Sequence, residues 1–156
     1  MTSIGIVVGV FASAGVGKPM EALTEANLEP GRGIVGDRYF AGIGTFSEKL
    51  RNRLDFQVTL IETEEVERFN REQAMSLRPS DLRRNIVTGN IRLNELVGKR
   101  FAVGGAVLEG IRLCEPCQHL ATIVAPCVLP ALVHRAGLRA AIISGGVVRA
   151  GDPIAA

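Results

Sequence analysis

Residues 56–61 read Phe-Gln-Val-Thr-Leu-Ile, and their alternation decides the kind of fold. Phe56, Val58 and Leu60 share one face, while Gln57 and Thr59 share the other. That is the period-two pattern of a strand with one buried side. Working outward, Thr63 is placed to cap a short helix through about Ala74. Val66 and Phe69 form its apolar face, and Glu64–Arg68 and Glu67–Arg71 are spaced i,i+4 with the acid first. Ile86-Val87, Phe101–Val103 and Val107–Leu113 read as further short strands. So does Leu138–Ser144, with Gly145-Gly146 turning into Val147-Val148-Arg149. Upstream, the β-branched run Ile4–Phe11 reads as a first strand and Met20–Leu28 as a second. Gly31–Asp37 holds three glycines, so its backbone turns sharply or approaches something closely. From there to Arg53 the chain reads as a long loop, a common place for function. Two helices are expected late in the chain. One runs from Pro116 at its first position to about Val124, the other from Val128 to Ala136 with Gly137 just past its end. Many short strands with few short helices predict a mainly β fold, a barrel core with peripheral helices, and not an alternating βαβ sheet.

The chain has 156 residues, a length suited to one domain with a self-sufficient core. Aromatics are 4% of the residues, with no Trp and one Tyr, which argues against a base-stacking platform for nucleic acid. The net charge of +2 implies no nucleic-acid partner either. Three cysteines are an odd number and do not read as a disulfide framework, so a reducing, cytoplasmic setting is expected. No apolar stretch approaches the roughly 20 residues of a membrane span. Met1-Thr2-Ser3 lacks the basic residues of a signal peptide, and Gly5 and Gly9 interrupt the apolar run behind it.

The strongest chemical signal is Cys114-Glu-Pro-Cys117. A thiolate is the reactive form of cysteine and is favoured near a helix N-terminus or a cation. With Pro116 as first helical residue, Cys117 falls in the first turn, and Arg112 is close by. The pattern suits a nucleophile, a persulfide carrier or a soft-metal ligand. The plainer reading is a buried, inert thiol pair. Spacing argues against other uses. A c-type haem needs His directly after the second cysteine, and Gln118 stands there. Zinc needs four ligands, and beyond His119 and the lone Cys127 there is no second Cys-x-x-Cys. Gly15-Val-Gly-Lys-Pro is not a phosphate loop, since Ala12 replaces its first glycine and Pro19 has no hydroxyl for magnesium. Gly36-Asp37-Arg38, Arg83-Arg84-Asn85, and Arg135 and Arg139 around Gly137-Leu138 carry forks suited to phosphate or carboxylate. Each alone reads as ordinary structural charge. His134 reads as a helix-end cation, and His119 as a neighbour able to tune a thiol.

Taken in order, Gly36-Asp37-Arg38, Arg83-Arg84-Asn85-Ile86-Val87, Cys114-Glu-Pro-Cys117, Gly137-Leu138-Arg139-Ala140, Gly145-Gly146 and Gly151-Asp152 resemble the MOSC domain, named for the C-terminal domain of molybdenum cofactor sulfurase. The resemblance spans nearly the whole chain, as a stand-alone bacterial-type domain over residues 1–156. It implies a barrel of the pyruvate-kinase-barrel-like kind with peripheral helices, and sulfur carriage or molybdenum cofactor binding. Cys117 matches the family cysteine that carries sulfur or contacts molybdenum. Cys114 is an optional partner, able to resolve a persulfide as a Cys114–Cys117 disulfide. Asp37, Arg38, Arg84, Asn85 and Arg135 are the expected cofactor-binding residues, with Cys117 the expected metal ligand. The implied sulfur donor is a cysteine desulfurase. Pyridoxal phosphate belongs to the eukaryotic sulfurase's separate desulfurase domain and is not expected on this chain. A non-catalytic molybdopterin or oxyanion binder, and a molybdenum-dependent reductase of N-hydroxylated compounds, are the alternatives.

Overall fold

The computed structural model describes residues 4–50 and 53–156. The reading of Met1–Ser3, and of residues 51–52 in the long loop, lies outside the described residues. Eleven strands are formed among the described residues: β1 (Ile4–Ala12), β2 (Glu21–Ala22), β3 (Ala26–Glu29), β4 (Gly33–Ile34), β5 (Val58–Glu62), β6 (Ile86–Gly89), β7 (Arg100–Val103), β8 (Ala106–Leu113), β9 (Leu138–Ser144), β10 (Gly146–Val148) and β11 (Pro153–Ala155). Seven of them close a barrel in the order β1-β6-β5-β9-β8-β7-β11, with β11 returning to β1. Only β5–β6 is parallel within it. A small sheet, β10-β3-β4, and the short β2 lie beside the barrel. The helices are α1 (Ser47–Leu50), α2 (Thr63–Gln73), α3 (Gln118–Ile123) and α4 (Val128–Ala131). None among the described residues is long and apolar enough to cross a membrane.

Strand alternation builds two cores. Leu60 and Ile86 point into the barrel with Val58, Leu108, Phe101, Leu138 and Ile154. The next residues along the same strands, Ile61 and Val87, point outward against Val66, Phe69, Leu82, Leu120, Val128 and Leu132. A strand buried on both faces loses its polar alternation, which is why all four residues of β6 are buried. β1 keeps the alternation because its outer face is uncovered.

Several local expectations change. Met20–Leu28 is interrupted, giving β2 and the start of β3. Thr63 is the first residue of α2; Glu62 takes the cap position without a side-chain cap bond. Its carboxylate instead accepts the Leu93 N–H at 3.1 Å. Arg68 pairs with Glu72 and Glu65, while Glu64 accepts the Asn90 N–H. Pro116 lies outside α3. Cys114 N–H still donates to Gly137 O at 2.8 Å, extending the β8–β9 pairing, and Cys117 remains extended at the helix cap. The second late helix stops at Ala131, and His134 adopts the left-handed conformation with φ +62°. Its backbone N–H is held there by Glu115 at 2.7 Å, a contact no local pattern encodes.

Gly137 starts β9 with φ +110°, and a Cβ on it would collide with the Leu60 carbonyl oxygen. Gly137→Ala is therefore expected to destabilise the protein by about 2–4 kcal/mol, as both strain and collision act at a buried strand end. Urea unfolding monitored by circular dichroism checks it; an unchanged midpoint would contradict this packing.

Candidate functional site

The site forms where β8, β9 and the segment before β6 meet. Arg84, only 8% exposed, donates Nε to Ala136 O at 2.9 Å, Nη1 to Leu82 O at 3.2 Å and Nη2 to Cys114 O at 3.3 Å. Three of its five N–H donors are thus engaged by backbone carbonyls. The residue expected to grip an anion mainly positions the cysteine loop, while still lining the cleft beside it. Glu115 pins the loop from another side. Its Oε1 accepts the His134 N–H, and its Oε2 lies 2.6 Å from His134 Nδ1.

These restraints separate the two cysteines. Cys114 is 1% exposed. Cys117 is half-buried, and its Sγ accepts the Leu120 N–H at 3.4 Å. Cys127 is remote, packed against Met75 at 3.8 Å. All three thiols are free.

The opposite wall is built on Asp37, 2% exposed. Its carboxylate accepts the Ser13 and Tyr39 N–H groups, Arg38 Nη1 at 3.2 Å and Asn85 Nδ2 at 3.4 Å. Asp37 therefore holds Arg38 in place and is not itself turned to the cleft. Arg38 also lies 4.9 Å from the centre of the Tyr39 ring. Asn85 is buried but does line the inner cleft: its Oδ1 accepts from the Thr59 N–H and hydroxyl, and its Nδ2 also donates to Phe11 O.

Arg135 is the expected site residue that the fold takes elsewhere. With α4 ended early, it lines a separate cleft with Glu62, Glu65 and Arg92. Arg139 takes its place. As a β9 residue between the inward-facing Leu138 and Ala140, it projects from the other face of the strand, lines the clefts at Cys117 and donates Nη1 to Asp55 O at 3.4 Å. Strand alternation in the sequence was the available signal. Arg83 also joins the site, in the left-handed conformation with φ +63°. Burial and the neighbouring Arg38 push its guanidinium below the ordinary value. Its Nη1 donates to Lys18 O at 2.7 Å. His119 and Thr45, with Nε2 and Oγ1 3.5 Å apart, complete the rim.

Two clefts adjoin at the thiol. The inner, of about 50 Å³, lies among Arg38, Arg83, His119 and Thr45. The outer, of about 220 Å³, lies among Lys49, Leu50, Arg112 and Pro116. Phe46, Arg84, Cys117 and Arg139 line both. Beneath the outer cleft Asp55 is fully buried and paired with Arg112 and Arg53. Burial pushes its carboxyl up, but the hydrogen bond and charge of Arg112 outweigh this and hold it below its ordinary 3.8.

The MOSC domain model matches residues 47–155 of this chain. The chain belongs to the MOSC domain family. Solved structures share the fold of this MOSC protein. YuaD from Bacillus subtilis superposes with a TM-score of 0.85 at 17% identity, covering 99% of this chain and 96% of that one. YiiM from Geobacillus stearothermophilus gives 0.72 at 12% identity, covering 96% and 73%. YiiM from Escherichia coli gives 0.63 at 18%, covering 99% and 68%. No curated protein matches the sequence significantly.

Two outcomes are expected from this geometry. Arg84→Lys keeps the charge but offers all its donors from one nitrogen, which cannot reach three divergent carbonyls. It should lose about 2–4 kcal/mol of stability in chemical denaturation. Arg112→Ala should lower the thermal midpoint more at pH 7 than at about pH 3. Asp55 contributes stability above its unfolded value, and that contribution disappears as pH falls through the depressed folded value. Equal losses at both pH values would remove the ion pair from the argument.

Proposed function

We propose that this MOSC protein handles sulfur as a persulfide on Cys117 in the service of a metal–sulfur cofactor. The observation that carries the reading is the contrast between the cysteines. Cys114 is 1% exposed and borders only the inner cleft, whereas Cys117 stands half-buried and lines both cation-rich clefts. In the transfer, the Cys117 thiolate attacks the terminal sulfur of a donor persulfide. A new S–S bond forms, the donor's S–S bond breaks, and the donor leaves as a thiolate. No net oxidant is needed. Arg38, Arg83 and Arg139 offset the negative charge carried by the persulfide and by its acceptor. A cysteine desulfurase is one donor of this kind.

The donor set also bears on the molybdenum cofactor. No group of three or more His, Cys, Asp or Glu able to hold a metal ion occurs among the described residues. One reachable thiol ringed by guanidinium groups fits an anionic group that brings its own remaining ligands. The molybdenum cofactor is such a group. Cys117 would supply a sulfur ligand, and Arg38, Arg83 and Arg139 would hold the anionic part. When bound, it supplies a redox-active metal centre. The crowding of Arg83 against Arg38 also supports a second reading, an oxyanion or molybdopterin binder without sulfur chemistry.

Incubation with a cysteine desulfurase and cysteine, followed by intact mass measurement, tests the carrier role. The wild type and Cys114→Ala should gain one sulfur, and Cys117→Ser none. An adduct retained in Cys117→Ser overturns the assignment. Anion binding that survives Cys117→Ser but weakens in Arg139→Ala, with no adduct in any form, favours the binding module.

A further inference from the structure

The two clefts at Cys117 differ in size and lining, and the difference bears on the donor. The inner cleft, about 50 Å³, has room for little more than one small group beside the sulfur, since a water's share of the liquid is about 30 Å³. The outer cleft is about 220 Å³. It combines three features along one path. Phe46 and Pro116 supply apolar surface, Lys49, Arg112 and Arg139 supply cations, and Cys117 supplies the thiol. Its one carboxylate among the described lining residues, Glu115, is bound to His134. Arg112 is 45% exposed while anchored to Asp55 beneath it, so its guanidinium is held at the rim. Lys49 is exposed and forms no ion pair among the described residues.

We infer that the outer cleft takes a short alkyl persulfide bearing a carboxylate, and that this small molecule is a direct sulfur donor to Cys117. The inference rests on the sulfur-carrier reading above and names its substrate class. The alkyl stem lies on Phe46 and Pro116, and the carboxylate meets Lys49, Arg139 and the outward side of Arg112. The donor's terminal sulfur then faces Cys117. The Cys117 thiolate forms a bond to that sulfur, the donor's own S–S bond breaks, and the carboxylate-bearing thiolate departs through the same opening. The acceptor side remains the inner cleft, so donor and acceptor approach the sulfur from different directions.

The test compares carboxymethyl persulfide with hydroxyethyl persulfide, donors of similar size that differ in charge. Sulfur gain on the full chain is followed by intact mass. Each rate is normalised to that donor's rate with a free thiol in solution, which removes intrinsic reactivity. The carboxylate donor should reach half-saturation at a concentration about tenfold lower, with the advantage shrinking as salt is raised. Lys49→Glu should bring the ratio of the two half-saturation concentrations to about one; Lys49→Gln should fall between. Lys49 is exposed, so both variants should keep the fold, checked by the thermal midpoint. Equal rates for both donors at low and high salt, or sulfur gain from a protein persulfide alone, overturn the donor assignment while leaving the carrier role intact. Failure of Cys117 to gain sulfur from any donor, the desulfurase included, defeats the carrier reading itself.

Discussion

A single buried guanidinium sets the geometry of the site. Arg84 bonds the carbonyls of Leu82, Cys114 and Ala136, which come from three stretches of chain that share no sheet ladder at those residues. A permanent charge removed from water is tolerable only when its donors are met, and here backbone dipoles meet them instead of a carboxylate. The arrangement is mutual. The carbonyls lie at ends of elements, where no regular partner is available, and the guanidinium supplies one. The cysteine loop, the entry to β9 and the exit of the 3-10 turn Pro79–Leu82 are therefore held as one unit.

Around that unit the charges are arranged asymmetrically. Asp37 is the buried acid of the inner wall, and it is already saturated by Arg38, Asn85 and two backbone N–H groups. Arg83 lies near Arg38 and sits in a backbone conformation rarely taken by a side chain of its size. Strained and like-charged groups kept together at a cleft are a common mark of a site prepared for a ligand of opposite charge. Burial then separates the thiols: Cys114 is nearly inaccessible and borders only the inner cleft, while Cys117 lines both.

The strands that close the barrel were legible because burial on one face leaves a period-two imprint. Phe56–Ile61, Val107–Leu113 and Leu138–Ser144 correspond closely to β5, β8 and β9. The late helices were legible as apolar segments but not in their limits. Pro116 is compatible with a helix start, yet the Cys114–Gly137 hydrogen bond keeps the chain extended past it. The long loop after Asp37 carried no readable sign of α1, a four-residue helix with one buried side chain, Leu50.

Within the site, the sequence alone determined the residue types: a thiol pair around Glu-Pro, a Gly-Asp-Arg turn, an arginine doublet and two arginines about Gly137. Only the tertiary structure decided which of them meet. Arg135 and Arg139 are one helical turn apart in sequence, and a continued helix would have kept them on one side. The helix stops at Ala131 and Glu115 holds His134 beyond it, so Arg135 turns to a separate cleft while strand β9 places Arg139 in the clefts at Cys117. Local periodicity records which face of an element is buried. It does not record a hydrogen bond between residues far apart in the chain, and here such bonds choose the arginines and the thiol.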